Sequence, residues 1–346
     1  MKFGVTVTNA INPNVTAAGQ ADYVNKATLA VEQCGLDSVW VADRTVYPVD
    51  IMDRHPEMFS PHHSKPDSQN LLESVTTLSY AAALTKRVLV GFSVLCLPFR
   101  HALLNSKMIN TIDVLSNGRV QLGVGTGWMP EEFEAMDVDY KLRGQLTDEH
   151  LQLYKAVCAE PNPEFQGKHT SISGKTFFPG PIQKPHPPIW IGGITDAALR
   201  RTANYGDYWN AFKVTPHDVV ERLNKLGEMC RLIDRDPSTI KASTTINMDL
   251  TDRQYEDGNR DAEVLMIDSK TKDIFIISKR EESVHIYSLP YPQNTKIKIT
   301  ANLIGVRDFY PDIDNEDLEM ITAGEISSDG KKILLKSYLD VFHFTR

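Results

Sequence analysis

The spacing of hydrophobic and polar residues changes once along the chain. Up to about residue 250, short apolar runs alternate with segments whose apolar residues recur at the spacing of a helix with one buried face. The longest run, RVLVGFSVLCL at 87–97, is typical of a strand buried on both faces. Repeated strand–helix units of this kind predict an α/β fold with a parallel sheet and helical crossovers.

The predicted elements alternate along the whole of this region. We expect strands at Lys2–Thr8, Ser38–Ala42, Arg87–Leu97, Val120–Val124, Ile189–Ile191, Tyr208–Phe212 and Ile240–Leu250. We expect helices at Ala21–Cys34, Leu71–Leu84, His101–Leu115, Leu146–Cys158, Asp196–Tyr205 and Pro216–Ile233. Seven strands favour a TIM-like (β/α)₈ barrel over an open sheet, and the barrel lacks its last βα unit.

Beyond residue 255, short strands alternate with polar turns, as in DAEVLMIDSKTKDIFIISKRE. This pattern predicts a small all-β meander of roughly six strands. We therefore expect an incomplete barrel at 1–255 and the meander at 256–346. An unclosed barrel leaves sheet edges exposed, so reduced stability is expected unless the meander or a partner chain covers the gap.

The candidate functional residues are those that follow the strands, because the chemistry of such barrels lies at the C-terminal ends of their strands. These residues are Asn9, Asp43, Leu95–Pro98, Gly125–Trp128, Gly192–Thr195 and Lys213. The excursions at Asp50–Asp67 and Glu160–Pro188 have the length of active-site lids, but they suit surface insertions equally well.

Two of the loops after strands are rich in glycine. In LGVGTGW, Gly125 and Gly127 allow the backbone to approach a ligand and Thr126 offers a hydroxyl, although an ordinary tight turn uses glycine as well. In IWIGGITD, Thr195 or Asp196 caps the next helix, and the amides of that helix start suit a phosphate. A helix cap without a ligand is an equal alternative.

Two further loops carry charge next to apolar strand ends. The segment Leu95–Pro98 offers an apolar wall for a flat ring, and the following Arg100 and His101 either supply cations or only begin a helix. Asp43 can accept hydrogen bonds from a ligand or from a neighbouring loop, and Arg44 can hold an anionic substrate or form a structural pair. No spacing of His, Cys, Asp or Glu predicts a metal site, and His62–His63 suits a solvated loop.

Composition excludes several classes of function. The net charge is -8 and no long basic run is present, so we expect neither nucleic acid nor an anionic membrane as a partner. We find no apolar stretch of the length of a signal peptide core or a membrane span. The 4 cysteines contain no C-x-x-C pair, which suggests reduced thiols in a cytoplasmic protein.

Taken together and in this order, the loops resemble the luciferase-like monooxygenase family in its coenzyme F420-dependent oxidoreductase branch. The matching pieces include GLDSVWVAD, the block from RVLVGFSVLCLPFRH to GVGTGWMPEEFEAMDVDY, and PPIWIGGITDAALRRTANYGDYWN, within roughly residues 1–250. The resemblance implies a TIM-like barrel that holds a deazaflavin or flavin across its strand ends. It also implies hydride transfer to or from a small-molecule substrate, and a homodimer.

The resemblance assigns roles to particular residues. Asp43 lines the ring site, and a non-proline cis peptide at Leu95–Cys96 backs the ring. The residues implied for the chain and phosphate of the cofactor are Gly125, Thr126, Gly127, Gly192, Gly193, Ile194 and Thr195. From the residues themselves, Trp128 can stack on the substrate side or close it off. The resemblance supplies no general base, and Arg44 and His101 are the catalytic candidates.

The chain also departs from the family. The F420-dependent sugar-phosphate dehydrogenases of this group carry a histidine where Arg44 stands and an acid where Trp128 stands, so their acid–base mechanism and substrate do not transfer. An FMN-dependent monooxygenase that uses oxygen is the first alternative function. The second is a non-catalytic chimera, because the segment after residue 258 resembles a β-propeller fragment that is too short to close.

Overall fold

A computed structural model describes residues 2–7, 17–55, 72–212 and 214–245, followed by 254–255, 258–259, 262–268, 270–271, 273–278, 284–291, 301–307, 321–326, 332–337 and 341–345. The candidates Asn9, His62–His63 and Lys213 lie outside these residues, as does most of the excursion at Asp50–Asp67. The chain divides into two compact units, Met1–Thr245 and Ile246–Arg346, and each is described by itself.

The first unit is built on a parallel sheet. Its strands run in the order β1-β2-β3-β5-β8-β9-β10, and β4 also pairs with β5, while β6 and β7 form a separate hairpin. The strands are β1 Gly4–Thr6, β2 Ser38–Val41, β3 Leu89–Phe92, β4 Leu95–Cys96, β5 Val120–Gly125, β6 Phe165–Gln166, β7 Ser171–Ile172, β8 Ile189–Gly192, β9 Tyr208–Phe212 and β10 Lys241–Thr245. Within the described part of this unit no strand joins the outer edges of β1 and β10. The curled sheet is therefore an open TIM-type barrel, as predicted.

Eight helices connect the described strands of this unit. They are α1 Ala17–Gln33, α2 Ile51–Arg54, α3 Ser74–Leu84, α4 Ala102–Leu115, α5 Pro130–Ala135, α6 Arg143–Ala159, α7 Asp196–Tyr205 and α8 Pro216–Arg231. The six predicted helices are confirmed. Gly35, at φ 74, lies just after α1, where the sequence places a terminating glycine. Among the described residues, no helix combines the length and apolarity needed to cross a membrane.

Residues alternate between the two faces of the strands, and both faces are filled. The outer face carries aliphatic residues such as Val39, Val90 and Leu122, which are fully buried in one core. The inner face carries an aromatic layer, in which Trp190 stacks on Tyr208 with ring centroids 3.7 Å apart and meets Trp40 edge-on at 5.0 Å. The long apolar runs of the sequence therefore reflect a sheet that is covered on both sides.

The third predicted strand is interrupted, which the hydrophobic pattern did not reveal. β3 ends at Phe92, and a cis peptide joins Ser93 to Val94 before β4 begins. The prediction of a cis bond at Leu95–Cys96 was therefore wrong in position, since the observed bond lies two residues earlier. Periodicity cannot detect this break because the residues on both sides of it are apolar and buried. The side chain of Val94 occupies the space beside Gly192, where an added Cβ would lie 2.9 Å from its Cγ1.

The described residues of the second unit form only β-strands and short connections, as predicted. A hairpin of β11 (Gln254–Tyr255) and β12 (Gly258–Asn259) precedes two antiparallel sheets. The first sheet contains β13 Ala262–Ile267, β14 Ile274–Ser278, β15 Val284–Leu289 and β16 Asn302–Arg307. The second contains β17 Ile321–Ile326, β18 Lys332–Ser337 and β19 Val341–Thr345. Ile276, Tyr287 and Ala301 form a small buried core.

Candidate functional site

The C-terminal ends of three neighbouring strands lie level with one another. Leu95 of β4 pairs with Val124 of β5, and Val124 pairs with Ile191 of β8. The loops after these strands are therefore adjacent, and they contain the segments predicted to bind a cofactor. We call this end of the sheet, together with the loop after β2, the strand-end face.

Asp43 follows β2 and is almost fully buried. Its carboxylate accepts two bonds from the Arg100 guanidinium, at 2.7 and 2.8 Å, one from the Cys96 amide at 3.0 Å and one from the Ser74 hydroxyl at 2.8 Å. The sequence left open whether Asp43 binds a ligand or a neighbouring loop, and the structure shows the bonds to neighbouring loops. Asp43 thereby ties β2 to β4 and to the start of α3.

Arg100 has a second carboxylate partner. Its Nη2 also lies 2.8 Å from Oε1 of Glu73, the residue before α3. Burial opposes the charged form of Arg100, but the hydrogen bonds from Asp43 and Glu73 outweigh it and raise the pKa of the guanidinium. Arg100 is therefore the cation that the sequence suggested next to the strand end, and the two carboxylates balance its charge.

Arg44 points to a different carboxylate. Its Nη1 forms an ion pair with Oε2 of Glu132, and the amide of Thr45 donates to Oε1 of Glu132 at 2.6 Å. The side chain of Glu132, on α5, is only 2% exposed. Burial raises the pKa of Glu132 above its usual range, although Arg44 and Thr45 act in the opposite direction. No sequence pattern indicates this pair, because its two residues lie 88 positions apart.

Aromatic rings enclose the Arg44 guanidinium. Its Cζ lies 5.3 Å from the centroid of Tyr47 and 5.2 Å from the centroid of Trp128, within the range of cation–π contacts. Trp128 also meets His55 edge-on at 5.0 Å, and its carbonyl accepts a 3.0 Å bond from the Tyr140 hydroxyl. Trp128 is thus held on one side of the strand-end face, where the sequence suggested a substrate wall.

The glycine loop after β5 is constrained by packing. Gly127 has φ 77, and an added Cβ would lie 2.5 Å from the Phe133 ring and 2.7 Å from Cys96 Sγ. An added Cβ at Gly125 would collide with Val94. Thr126 is half-buried between them. The interpretation of this loop as a tight turn has direct geometric support, which leaves its contact with a ligand as a proposal.

The apolar wall predicted at the end of the third strand is formed by buried side chains. Leu95 is fully buried and Cys96 is 4% exposed. Burial raises the pKa of the Cys96 thiol well above its ordinary value, and the nearby carboxylates of Asp43 and Glu132 add to the effect. Cys96 is therefore a neutral thiol that behaves as a small apolar group.

The loop after β8 leads into a capped helix. The carbonyl of Gly193 accepts a 2.7 Å bond from Trp209 Nε1, and Gly193 has φ 118. Thr195 is the N-cap of α7, and its hydroxyl accepts from the Ala198 amide at 3.3 Å. Half-buried Ile194 precedes it. The amides of Asp196 and Ala197, which precede the capped amide of Ala198, have no acceptor within the helix, so they can bind an anion.

Two cations stand at the same helix start. Lys225 lies 2.7 Å and Arg222 3.5 Å from the carboxylate of Asp196, the first residue of α7. Asp196 offsets part of their charge. The side chains are 30 to 47% exposed, so solvent screens these pairs and leaves them able to rearrange around a phosphate.

His101 is placed differently from the other candidates. It is the exposed N-cap of α4, and its Nδ1 accepts from the Leu103 amide at 3.3 Å. Its ring lines a groove formed with Leu103, Leu104, Lys107, Thr176, Phe177 and Phe178. Within the described residues, His101 shares no recorded contact with Arg44. The interpretation of His101 as the start of a helix matches its geometry, and its catalytic role stays a prediction.

The excursion at Glu160–Pro188 is fastened to the outer helices. The amides of Lys168 and His169 donate to Glu149 of α6, at 2.9 and 2.8 Å. Gln183 donates to Asp113 of α4 at 2.7 Å. These bonds favour a fixed insertion along α4 and α6, and they argue against a lid that opens and closes.

One group of possible metal ligands occurs among the described residues. His217, Asp218 and Glu221 bring ligand atoms within 4.8 Å of one another at the start of α8. Asp218 is already used, since its carboxylate accepts from the amide and hydroxyl of Thr215 in a capping box. The three residues are therefore explained by the beginning of the helix.

Comparison with known proteins identifies the family and agrees with the fold. The family model described as luciferase-like monooxygenase matches residues 1–256. Uncharacterized proteins of Mycobacterium tuberculosis and Mycobacterium bovis are each 32% identical over 180 residues, which is 52% of this chain and 62% of each relative. The match thus spans less than two thirds of the length of these relatives.

Solved structures share the fold at low identity. The monooxygenase RslO1 from Streptomyces bottropensis has a TM-score of 0.58 at 19% identity, over 78% of this chain and 72% of that one. An F420-dependent secondary alcohol dehydrogenase in complex with an F420-acetone adduct has a TM-score of 0.57 at 17% identity, with the same coverage of 78% and 72%. The oxygenating constituent of 3,6-diketocamphane monooxygenase from Pseudomonas putida, in complex with FMN, has a TM-score of 0.57 at 15% identity, over 73% and 68%.

Proposed function

The chain belongs to the luciferase-like monooxygenase family, and on that premise we propose that it is an oxidoreductase that transfers a hydride between the deazaflavin coenzyme F420 and a small organic substrate. One observation carries the proposal. The apolar end of β4, the glycine loop after β5 and the capped N-terminus of α7 after β8 lie at adjacent strand ends. A flat ring joined to a phosphate needs such an arrangement.

The residues present are suited to this coenzyme. Val94, Leu95 and Cys96 would provide the floor beneath the ring. The first-turn amides of α7, with Lys225 and Arg222 nearby, would hold the phosphate. Gly192 and Gly193 would let the backbone approach it, because these two residues carry no side chain of their own. The bound coenzyme supplies the hydride-carrying ring, and the protein supplies binding and orientation.

The residues of the chain itself hold this face in place. Asp43 and Arg100 fix the ends of β2 and β4 against α3. Arg44, paired with Glu132, holds Trp128 on the substrate side. The coenzyme would carry the hydride and the protein would orient it, so the lack of an assigned general base does not exclude activity. Arg44 and His101 are the catalytic candidates that we propose.

Titration with F420 and, separately, with FMN tests the proposal. We expect F420 to quench fluorescence with a Kd on the order of micromolar and FMN to bind much more weakly. A preference for FMN would support a flavin-dependent monooxygenase of the same family. Binding of neither by a folded sample would favour the non-catalytic chimera and refute the proposed function.

A matched pair of glycine variants locates the binding site. Gly193→Ala places a Cβ at φ 118 and 3.1 Å from Ala198, beside the proposed phosphate site. Gly174→Ala also places a Cβ at positive φ, 61, but with no atom within 4 Å, in the Glu160–Pro188 excursion. We expect only Gly193→Ala to weaken F420 binding. Equal effects of both variants would argue against a phosphate site at α7.

We also propose that the chain forms a homodimer, as the resemblance implies. Sedimentation equilibrium of the full chain tests this directly. A monomer at concentrations of tens of micromolar would contradict it.

A further inference from the structure

The ion pairs of the strand-end face have a consequence for the substrate. We propose that this site selects uncharged planar substrates over anionic ones, and that Glu132 determines this selectivity by neutralising Arg44. The inference rests on the proposed function, because it assumes that the substrate binds at this face. It concerns the chemical class of the substrate, which the choice of cofactor does not decide.

Three arginines at this end of the sheet, Arg44, Arg54 and Arg100, each have a carboxylate partner. Arg44 pairs with Glu132. Arg100 pairs with Asp43 and Glu73, and Arg54 pairs with Asp50 and Glu131. Two of the three arginines thus face two carboxylates each. An incoming anion meets no uncompensated positive charge among these groups.

Glu132 is the partner best placed to reject an anion. Its side chain is 2% exposed, compared with 21% for Glu131 and 47% for Glu73. It holds Arg44, whereas the equally buried Asp43 holds Arg100. One of its oxygens is held by Arg44 and the other by the Thr45 amide. A substrate carboxylate or phosphate at Arg44 would lie close to this fixed negative charge, where burial reduces the screening by water.

The surface around Arg44 suits a flat neutral group. The guanidinium is planar and only 14% exposed, and it lies between the rings of Tyr47 and Trp128. Guanidinium and indole faces both stack on planar unsaturated groups without requiring a charge on the ligand. Small ketones, enones and aromatic amides have this shape and polarity.

A pair of isosteric probes measures the selectivity. We would follow the binding of a fluorinated benzamide and of the corresponding fluorinated benzoate to the full chain by fluorine NMR. We expect the wild-type protein to bind the amide more tightly than the acid. In Glu132→Gln, Arg44 loses its counter-charge while Thr45 keeps an acceptor, so we expect the ratio of the two dissociation constants to shift about tenfold towards the acid.

Two further variants keep the test decisive. Glu131→Gln removes a more exposed carboxylate from the same helix, and we expect it to change the ratio by less than about twofold because solvent screens that charge. The double variant Arg44→Gln/Glu132→Gln removes both charges, so its ratio should return to the wild-type value. Far-UV circular dichroism checks the fold of each variant.

Three outcomes would overturn the inference. They are tighter binding of the acid by the wild type, an unchanged ratio in Glu132→Gln with the fold intact, and no binding of either probe. Titration of the same samples with F420 separates this inference from the proposed function. Retained F420 binding without probe selectivity refutes only the substrate class, whereas retained probe selectivity without cofactor binding refutes only the proposed function.

Discussion

Acidification should destabilise the first unit through one buried histidine, His150 of α6. Its ring is 6% exposed and bonds to the carbonyl of Leu97, and its Nδ1 has no partner among the described residues. Burial lowers the pKa of His150 from 6.5 to about 4, although the neighbouring Glu149 acts in the opposite direction. The folded chain therefore holds this imidazole neutral at a pH where the unfolded chain protonates it.

The size of the effect follows from the two pKa values. The interval from 6.5 to about 4 corresponds to about 3 kcal/mol, at roughly 1.4 kcal/mol per pH unit. Below 6.5 the unfolded state takes up a proton that the folded state does not, so stability falls with pH until the folded pKa is reached. At pH 5 the expected loss is about 2 kcal/mol, a large share of the 5–15 kcal/mol typical of domains.

Urea unfolding at pH 7 and at pH 5, followed by tryptophan fluorescence, measures this loss. All 4 tryptophans lie before residue 245, so the signal reports the first unit. His150→Gln keeps a donor for Leu97 but does not titrate, and we expect it to lose about 2 kcal/mol less than the wild type between the two pH values. His217→Gln, at an exposed histidine of α8, is the control and should behave as the wild type. An equal loss in His150→Gln and the wild type would refute the reasoning.

Three further substitutions test bonds that hold the first unit together, with the same urea assay. Asp43→Asn removes the buried partner of Arg100 and should cost about 3 kcal/mol, whereas Asp50→Asn, in an exposed pair that solvent screens, should leave the midpoint of unfolding unchanged. Arg119→Met leaves the carbonyls of Ala82, Thr85, Val88 and Ser116 without their donor, which should cost about 2 kcal/mol. Thr215→Ala removes the capping box of α8 and should cost about 1 kcal/mol, while Thr215→Ser should retain most of it.

The parts of the fold that the sequence predicted best are those set by local pattern. The bounds of α7 at Asp196–Tyr205 and of β9 at Tyr208–Phe212 match the predictions because a cap, a helical period and an apolar run mark them. The break between β3 and β4 has no such mark. Its residues remain apolar throughout, and what distinguishes them is the backbone path that places Val94 beside Gly125 and Gly192.

The sequence predicted where the site residues lie along the strands, but it did not predict which of them pair with one another. Residues after parallel strands could be named because the barrel brings strand ends together. The bonds that organise them join residues far apart in sequence, 88 positions for Arg44 with Glu132 and 57 for Asp43 with Arg100. No local pattern encodes such a partner. The order β2-β3-β5 in the sheet brings the loop after β2 towards α5. The pairing of Arg44 with Glu132 therefore depends on the order of the strands in the sheet.

The glycines show why the two interpretations of a Gly-rich loop do not compete. Gly125 and Gly127 are required by Val94, Phe133 and Cys96 whether or not a ligand binds, so their presence alone is no evidence for a cofactor. The stronger argument is that α7 follows the neighbouring strand β8 and begins with two amides, those of Asp196 and Ala197, that have no acceptor within the helix. A tight turn packs the strand ends closely, and it would also keep side chains away from the ring of the proposed cofactor. The same glycines can therefore serve the packing of the sheet and the approach of a cofactor.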